Sequence, residues 1–125
     1  MERWINAEEL MFRVEYRHFG GDEGPAIQVF ALRDGRNQEL LRFDCFRLNP
    51  HYHLDPSGTD EVTPMVGKAK DDPVNWTLEQ LRTNLPGMLL QARGSEASRI
   101  AAQINLTEPL RDLSDAVKDS FSDSL

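Results

Sequence analysis

Apolar and polar residues alternate along the first half of the chain, a pattern typical of half-buried β-strands. The alternation is regular from Leu10 to Phe19 and predicts a first strand there. After a glycine- and proline-containing turn at residues 20–25, Ala26 to Arg33 predicts a second strand. Asp34-Gly35 is a hairpin signal, and Gln38 to Leu48 predicts a third strand beyond it. The three strands are expected to form an antiparallel meander.

Asn49-Pro50 interrupts the third strand, because proline cannot donate a ladder hydrogen bond. We expect His51 to Asp55 to continue either as a short fourth strand or as an extended segment at the rim of the sheet. Residues 56–75 combine prolines with mixed charges and no clear period. We interpret them as a loop that contains at most one short strand.

Helical spacing of apolar residues begins at Trp76 and continues to residue 121. Thr77 and Gln80 have the spacing of a capping box, so the first helix is predicted to begin at Thr77. Pro86-Gly87 lies within that helix and predicts a kink, because proline removes a backbone donor and clashes with the preceding turn.

Two shorter helices are predicted to follow the first. Ser95 is expected to cap the second helix and Thr107 the third, and residues 122–125 are expected to fray. Strands over residues 1–55 followed by helices over residues 76–121 indicate one α+β domain spanning residues 1–125. In that fold, three to four antiparallel strands carry about three helices on one face.

The charge and cysteine content narrow the function classes. The 125-residue chain has a net charge of −7, which disfavours generic nucleic-acid binding and docking on anionic membranes. Cys45 is the only cysteine, so the chain cannot form an internal disulfide, which fits a reducing compartment. Residues 1–9 are too charged for a signal peptide, and the chain lacks the ~20 apolar residues that span a bilayer. A cytosolic location is therefore expected.

The candidate chemistry lies in His51-Tyr52-His53-Leu54-Asp55. On an extended segment, His51, His53 and Asp55 would face the same way, with roughly 7 Å between successive members. Two imidazoles and a carboxylate can bind a divalent transition metal such as Zn²⁺, Mn²⁺ or Fe²⁺, and the same residues can simply be the polar face of a strand. A further ligand can come from elsewhere in the chain, and four residues are candidates for it: His18, Asp44, Cys45 and Asp60.

The functional surface is predicted around these residues, together with Tyr52, Arg42 and Arg47. The first hypothesis is a binding or interaction module with a protein partner, or one that self-associates through uncovered strand edges, for example as a homodimer. The second is a metal-dependent hydrolase, toxin-like and acting on nucleic acid or nucleotide, that uses a metal-bound water. The third is a metal-free site in which His53 is the general base and Tyr52 or Arg47 the stabilising group.

Three segments carry a resemblance to known families. They are Arg42-Phe43-Asp44-Cys45-Phe46, Pro50-His51-Tyr52-His53 and the stretch from Trp76 to Leu90 that contains Leu85-Pro86-Gly87-Met88-Leu89. With this pattern the chain resembles an uncharacterised bacterial domain family of unknown function over roughly residues 40–93. It also has a likeness to TumE-type toxins of toxin–antitoxin pairs, in which a strand meander leads into a His-rich segment and a leucine-rich helix. That likeness implies a toxin activity.

Overall fold

The computed structural model describes residues 1–124 as a six-stranded antiparallel sheet with helices on one face. The strands are β1 (Glu2–Ala7), β2 (Leu10–Phe19), β3 (Asp22–Arg33), β4 (Arg36–Asp44), β5 (His51–Leu54) and β6 (Glu61–Pro64). The helices are α1 (Lys68–Asp71), α2 (Pro73–Gln91), α3 (Ser95–Ala101) and α4 (Thr107–Ser120), and a 3₁₀ turn follows at Phe121–Asp123.

The order of strands across the sheet is the order along the chain, from β1 to β6, and each strand pairs antiparallel with the next. The α+β class and the meander are as predicted, but the prediction of three to four strands was too low. β1 and β6 are the additional strands, and they form the two edges of the sheet.

The two faces of the sheet have different surroundings. One face is covered by the helices: α4 packs on β1 to β3, α3 on β3, and α2 on β4 and β5. The side chains on the covered face are large, apolar and fully buried, and they include Phe12, Val14, Ile27, Val29, Leu41 and Phe43. Each such side chain contributes roughly 1.5–3 kcal/mol when it is fully buried, so this layer is the main source of stability. The other face has no helix on it among residues 1–124.

Several predicted boundaries in the strand region were wrong. The turn before β3 is only two residues long, because β3 begins at Asp22 and includes Gly24 and Pro25. β4 ends at Asp44 rather than Leu48. Residues 56–75 are not mainly loop, because they contain β6, α1 and the start of α2.

Helix α2 begins four residues before the predicted capping box. The side chain of Asp72 accepts a hydrogen bond from the backbone N–H of Asn75, and Pro73 is the first helical residue. These two residues are the true start signals, since aspartate favours the N-cap and proline the first position. Thr77 is buried inside the helix and does not cap it. The predicted kink is present, because Asn84 has non-helical dihedral angles just before Pro86.

The last two helices lie where they were predicted, but their caps differ. α3 begins at Ser95 with Gly94 at the N-cap, and α4 begins at Thr107 with Leu106 at the N-cap. Asp123, in the segment predicted to fray, forms an ion pair with Arg3 at 2.8 Å. The end of the predicted frayed tail, Leu125, lies outside the described residues.

None of the helices within residues 1–124 has the length and apolar character that crossing a membrane requires.

Candidate metal centre

Two neighbouring strands place the candidate ligands on the open face of the sheet. Asp44 is the last residue of β4 and lies directly opposite His51, the first residue of β5. His53 lies opposite Arg42 in the same ladder. Because opposite residues share a face and alternate residues repeat it, all four side chains point away from the helices.

Both imidazoles approach the same carboxylate oxygen. The Nε2 atom of His51 lies 3.0 Å from Oδ2 of Asp44, and the Nε2 atom of His53 lies 3.1 Å from it. For metal–ligand bonds of about 2.0–2.2 Å, neighbouring ligand atoms are about 2.9–3.5 Å apart in octahedral or tetrahedral geometry. The two distances are therefore compatible with ligation of one ion, and one ligand atom from each of the three residues lies within 4.8 Å of the others.

The outer nitrogen of each ring is held by a hydrogen-bond acceptor. The Nδ1 atom of His51 is 3.0 Å from the backbone carbonyl of Asn49, and that of His53 is 2.7 Å from Oδ1 of Asp60. A carbonyl or carboxylate oxygen can only accept, so both Nδ1 atoms carry the proton and donate. In a neutral imidazole with its proton on Nδ1, the Nε2 atom carries a lone pair, and in both rings this atom faces the Asp44 carboxylate. This is the usual arrangement of metal-bound histidine, in which outer acceptors fix the tautomer and the orientation of the ring.

The loop between β4 and β5 is held in place by Asp22 at the start of β3. Its two carboxylate oxygens accept hydrogen bonds from the backbone N–H groups of Leu48 and Asn49, at 2.9 and 2.8 Å. Burial tends to raise the pKa of Asp22, but these backbone hydrogen bonds outweigh it and lower the pKa. The ionised carboxylate thus fixes the loop whose Asn49 carbonyl orients His51.

Asp55 is not a member of the site, and its prediction as a ligand in line with His51 and His53 does not match the geometry. β5 ends at Leu54, and Asp55 has a positive φ of 58° that turns the chain off the strand. Its carboxylate is buried and binds Arg33 at 2.7 Å and the backbone N–H of Thr59 at 3.0 Å. Burial acts to raise the pKa of Asp55, but the hydrogen bonds from Thr59 and Arg33 prevail and lower it. Asp55 therefore holds the loop that carries Asp60.

Of the other three residues predicted at the surface, only Arg42 lies beside the histidines. Tyr52 is on the covered face, where its ring packs against Phe43 and Trp76 with centroids 5.8 and 5.6 Å apart. Because successive side chains of a strand point to opposite faces, Tyr52 lies on the other side of the sheet from His51 and His53. Arg47 lies beyond the end of β4 and is exposed, and it forms a 3.5 Å ion pair with Glu23.

Arg42 and Asp44 each retain an unsatisfied polar atom beside the histidines. The Nη2 atom of Arg42 is 3.1 Å from Nε2 of His53, and its Nε atom is 3.5 Å from Oδ2 of Asp44. Within the described residues, Nε of Arg42 and Oδ1 of Asp44 are buried without a hydrogen-bond partner. Buried polar atoms are rarely left unpaired, so these two atoms are available to a group bound beside the histidines.

Two of the four candidates for a further ligand do not reach the site. His18 lines the same surface cleft as the triad, but its ring packs on Tyr16 and approaches Glu23 at 3.7 Å, and it is not among the residues whose ligand atoms lie within 4.8 Å of one another. Cys45 is fully buried, which raises the pKa of its thiol to about 12 despite a hydrogen bond with Thr77. Of the other two, Asp44 completes the triad and Asp60 supports it from behind His53. Sequence reasoning considered both, but it had no information on the β4–β5 register that selects them.

The triad opens into a cleft of about 580 Å³ on the sheet face. His53 and Asp44 are almost fully buried at its base, whereas the side chain of His51 is about a quarter exposed, at 26%. The cleft is also lined by two charged residues of β2, Glu15 and Arg17. A group bound at the triad would thus be reached from solvent on the His51 side.

A family model described as a domain of unknown function (DUF7700) matches residues 4–120, so the chain belongs to this family. The predicted resemblance to a family of unknown function is confirmed. No curated protein and no solved structure matches the chain. The predicted likeness to TumE-type toxins has no support in these comparisons.

Proposed function

We propose that this protein binds a divalent transition-metal ion through Asp44, His51 and His53. The observation that carries the proposal is the convergence of both Nε2 atoms on one carboxylate oxygen, at 3.0 and 3.1 Å. With both Nδ1 atoms donating to outer acceptors, three lone-pair-bearing atoms face one another. The Arg42 guanidinium, 3.1 Å from Nε2 of His53 and 3.5 Å from Oδ2 of Asp44, offsets part of the repulsion among these lone pairs, and a bound metal ion would offset the rest.

The donor set points to a particular group of metals. Two imidazole nitrogens and one carboxylate oxygen suit Zn²⁺, Fe²⁺ or Mn²⁺ better than Mg²⁺, which prefers an all-oxygen shell. Three protein ligands leave open positions for water or substrate, as catalytic rather than structural metal sites do. The unpaired Oδ1 of Asp44 adds a further donor for two-point attachment of the carboxylate.

The test is metal content, measured by elemental mass spectrometry on protein prepared without an affinity tag. The wild type is first stripped with chelator, then incubated with Zn²⁺, Mn²⁺ or Fe²⁺ and desalted. We expect close to one equivalent of one of these metals in the wild type and almost none in the His51→Ala/His53→Ala variant. Less than a tenth of an equivalent in the wild type with all three metals would contradict the proposal.

His18→Ala is the matched control, because it removes an imidazole that lies outside the triad and is more than half exposed, at 56%. It should retain the wild-type metal content. A loss of metal in this variant equal to that of the double variant would contradict the assignment of Asp44, His51 and His53 as the ligand set. Circular dichroism of all three proteins separates loss of ligands from loss of the fold.

For the chemistry of the site, we favour hydrolysis by a water bound to the metal, since the metal lowers the pKa of such a water toward neutrality. Turnover of nitrophenyl esters and phosphate esters by the metal-loaded wild type, absent from Asp44→Asn, would support it. A metal-loaded wild type that turns over neither class beyond the rate of free metal would contradict it.

A role as a binding module is the second candidate, and exposed apolar side chains near the site favour it. Phe19 at the end of β2 and Val62 on the edge strand β6 are 74% and 53% exposed. Val62 lies directly opposite His53 on the open face. Light scattering should show a dimer in the wild type that Val62→Lys weakens. A wild-type monomer at all concentrations up to about 100 μM would exclude self-association through this face at that affinity.

A further inference from the structure

Arg42 is placed to contact whatever binds beside the ion. It is the closest cation to the triad, and its guanidinium reaches three groups: His53 through Nη2 at 3.1 Å, and Glu39 and Asp44 at 3.5 Å each. The contact with His53 is the shortest of the three, and the Nη1 atom of Arg42 also donates a long hydrogen bond to Glu39 at 3.5 Å. The orientation of Arg42 therefore depends in large part on the lone pair of the His53 Nε2 atom, which accepts the shorter of its two side-chain hydrogen bonds.

That lone pair is the one that a metal would use. A neutral imidazole nitrogen has a single lone pair, so Nε2 of His53 cannot ligate an ion and accept from Arg42 together. An ion about 2.0–2.1 Å from Nε2 would also occupy the space in front of the Arg42 Nη2 atom. Metal loading would thus leave the guanidinium with an unsatisfied Nη2 in addition to its buried, unpaired Nε.

The surroundings favour an anion as the new partner. The cleft is lined by two arginines, Arg17 and Arg42, and two carboxylates, Glu15 and Asp44, whose formal charges cancel. A divalent ion gives these lining residues a net positive charge, with Glu39 beside Arg42 and Asp60 behind His53 as the neighbouring carboxylates, although the whole chain has a net charge of −7. A guanidinium fork matches the oxygens of a carboxylate or phosphate, and the open positions of the ion accept the same oxygens.

We propose that the metal-loaded centre binds a small oxyanion, a carboxylate or phosphate group, held jointly by the ion and the Arg42 guanidinium. This inference rests on the metal binding proposed above and adds the chemical class of the ligand. The exposed ring of Phe19 at the mouth of the cleft offers an apolar contact to the organic part of such a molecule.

The experiment is calorimetric titration of Co²⁺-loaded, desalted protein with inorganic phosphate and, separately, with acetate. Cobalt content is measured on the same sample before either probe is added. We expect saturable binding of at least one probe to the loaded wild type, and at least about tenfold weaker binding to loaded Arg42→Gln, since a charged hydrogen-bond pair is lost. Binding of phosphate alone, of acetate alone or of both identifies the group that the site prefers.

Arg82→Gln is the matched control, because it removes the same charge from an exposed position on α2. It should bind the probe as the wild type does. Arg42→Lys keeps the charge but loses the fork, and is expected to weaken binding as well. If Arg42→Gln does not fold, as judged by circular dichroism, Arg42→Lys takes its place in the comparison.

Three results would overturn the inference. Neither probe binds to the loaded wild type, or the folded Arg42 variant binds a probe as tightly as the loaded wild type does. The third is that metal-free wild type binds a probe as tightly as the loaded protein. Failure of the metal proposal itself is seen earlier and separately, as a wild type that holds no cobalt before any anion is added.

Discussion

Replacing Asp60 by asparagine tests whether the outer hydrogen bond to His53 strengthens metal binding at the proposed centre. Asp60 is the acceptor for the Nδ1–H of His53 at 2.7 Å. The variant keeps an oxygen that can accept this bond but removes the negative charge that increases the basicity of the ring. We therefore expect Asp60→Asn to weaken metal binding without abolishing it.

The magnitude follows from the exposure of Asp60. Losing an outer carboxylate partner typically costs 10- to 100-fold in metal affinity. The side chain of Asp60 is 46% exposed, so solvent screens its charge and the low end of this range applies. We expect the dissociation constant to rise about tenfold, which corresponds to about 1.4 kcal/mol.

The assay is competition for Zn²⁺ between the protein and a chromophoric chelator. Asp34→Asn is the control, because Asp34 is also an exposed aspartate with a positive φ, 54° compared with 49° for Asp60, and lies in the turn between β3 and β4. Both variants change the net charge equally. An effect of Asp60→Asn below twofold, or equal to that of Asp34→Asn, would refute the role assigned to the Asp60–His53 hydrogen bond.

Three further predictions concern the fold. Gly24→Ala should lower the free energy of unfolding by about 3 kcal/mol or more in urea titrations, because a Cβ atom would lie 2.1 Å from the carbonyl oxygen of Cys45. Gly35 has open space around it, so Gly35→Ala should lower the free energy of unfolding only by the roughly 1–2 kcal/mol that a positive φ costs. Equal losses in the two variants would contradict the clash at Gly24. Because the folded-state pKa of Asp55 is lowered, its contribution to stability is present above the unfolded pKa near 3.8 and is lost as the pH falls through the folded-state pKa. Urea midpoints measured from pH 5 to pH 2 should therefore fall less steeply in Asp55→Asn than in the wild type. Parallel slopes would contradict this contribution of Asp55. Cys45, with its pKa raised to about 12, should resist iodoacetamide at pH 8 until the protein is unfolded, and rapid labelling of the native protein, detected by mass spectrometry, would disprove its burial.

Strand β2 could be predicted from the sequence because one of its faces is covered by helices and the other is open. β2 spans Leu10–Phe19 as predicted, with its apolar positions beneath the helices and its charged positions on the open face. β1 has the same alternation, but Trp4 and the charged residues around it obscure the pattern at an edge strand. Its position depends on pairing with β2 and on the ion pair of Arg3 with Asp123, which sequence spacing does not reveal.

Strand alternation also explains how much of the candidate cluster the sequence indicated. The spacing of His51 and His53 placed both imidazoles on one face, and the structure brings them together with ring centroids 5.1 Å apart. The carboxylate was assigned to Asp55 because alternation was extended one residue too far. A positive φ at that residue ends the strand, and the alternation of apolar and polar residues does not reveal such a turn. Asp44 takes its place through the register between β4 and β5, which the loop from Cys45 to Pro50 sets through its bonds to β3.

The strand order, unchanged from chain order, has a consequence for how the centre assembles. All the side chains that form it, from Arg42 to Asp60, come from one hairpin and the turn that follows it. Closing so short a segment costs little chain entropy, and the cost grows only slowly with loop length. The centre should therefore form early during folding, and opening of the distant β1 edge in hydrogen-exchange experiments should leave it intact. In evolutionary terms, such a hairpin is a compact module whose ligands can be altered without redesigning the helical layer behind it.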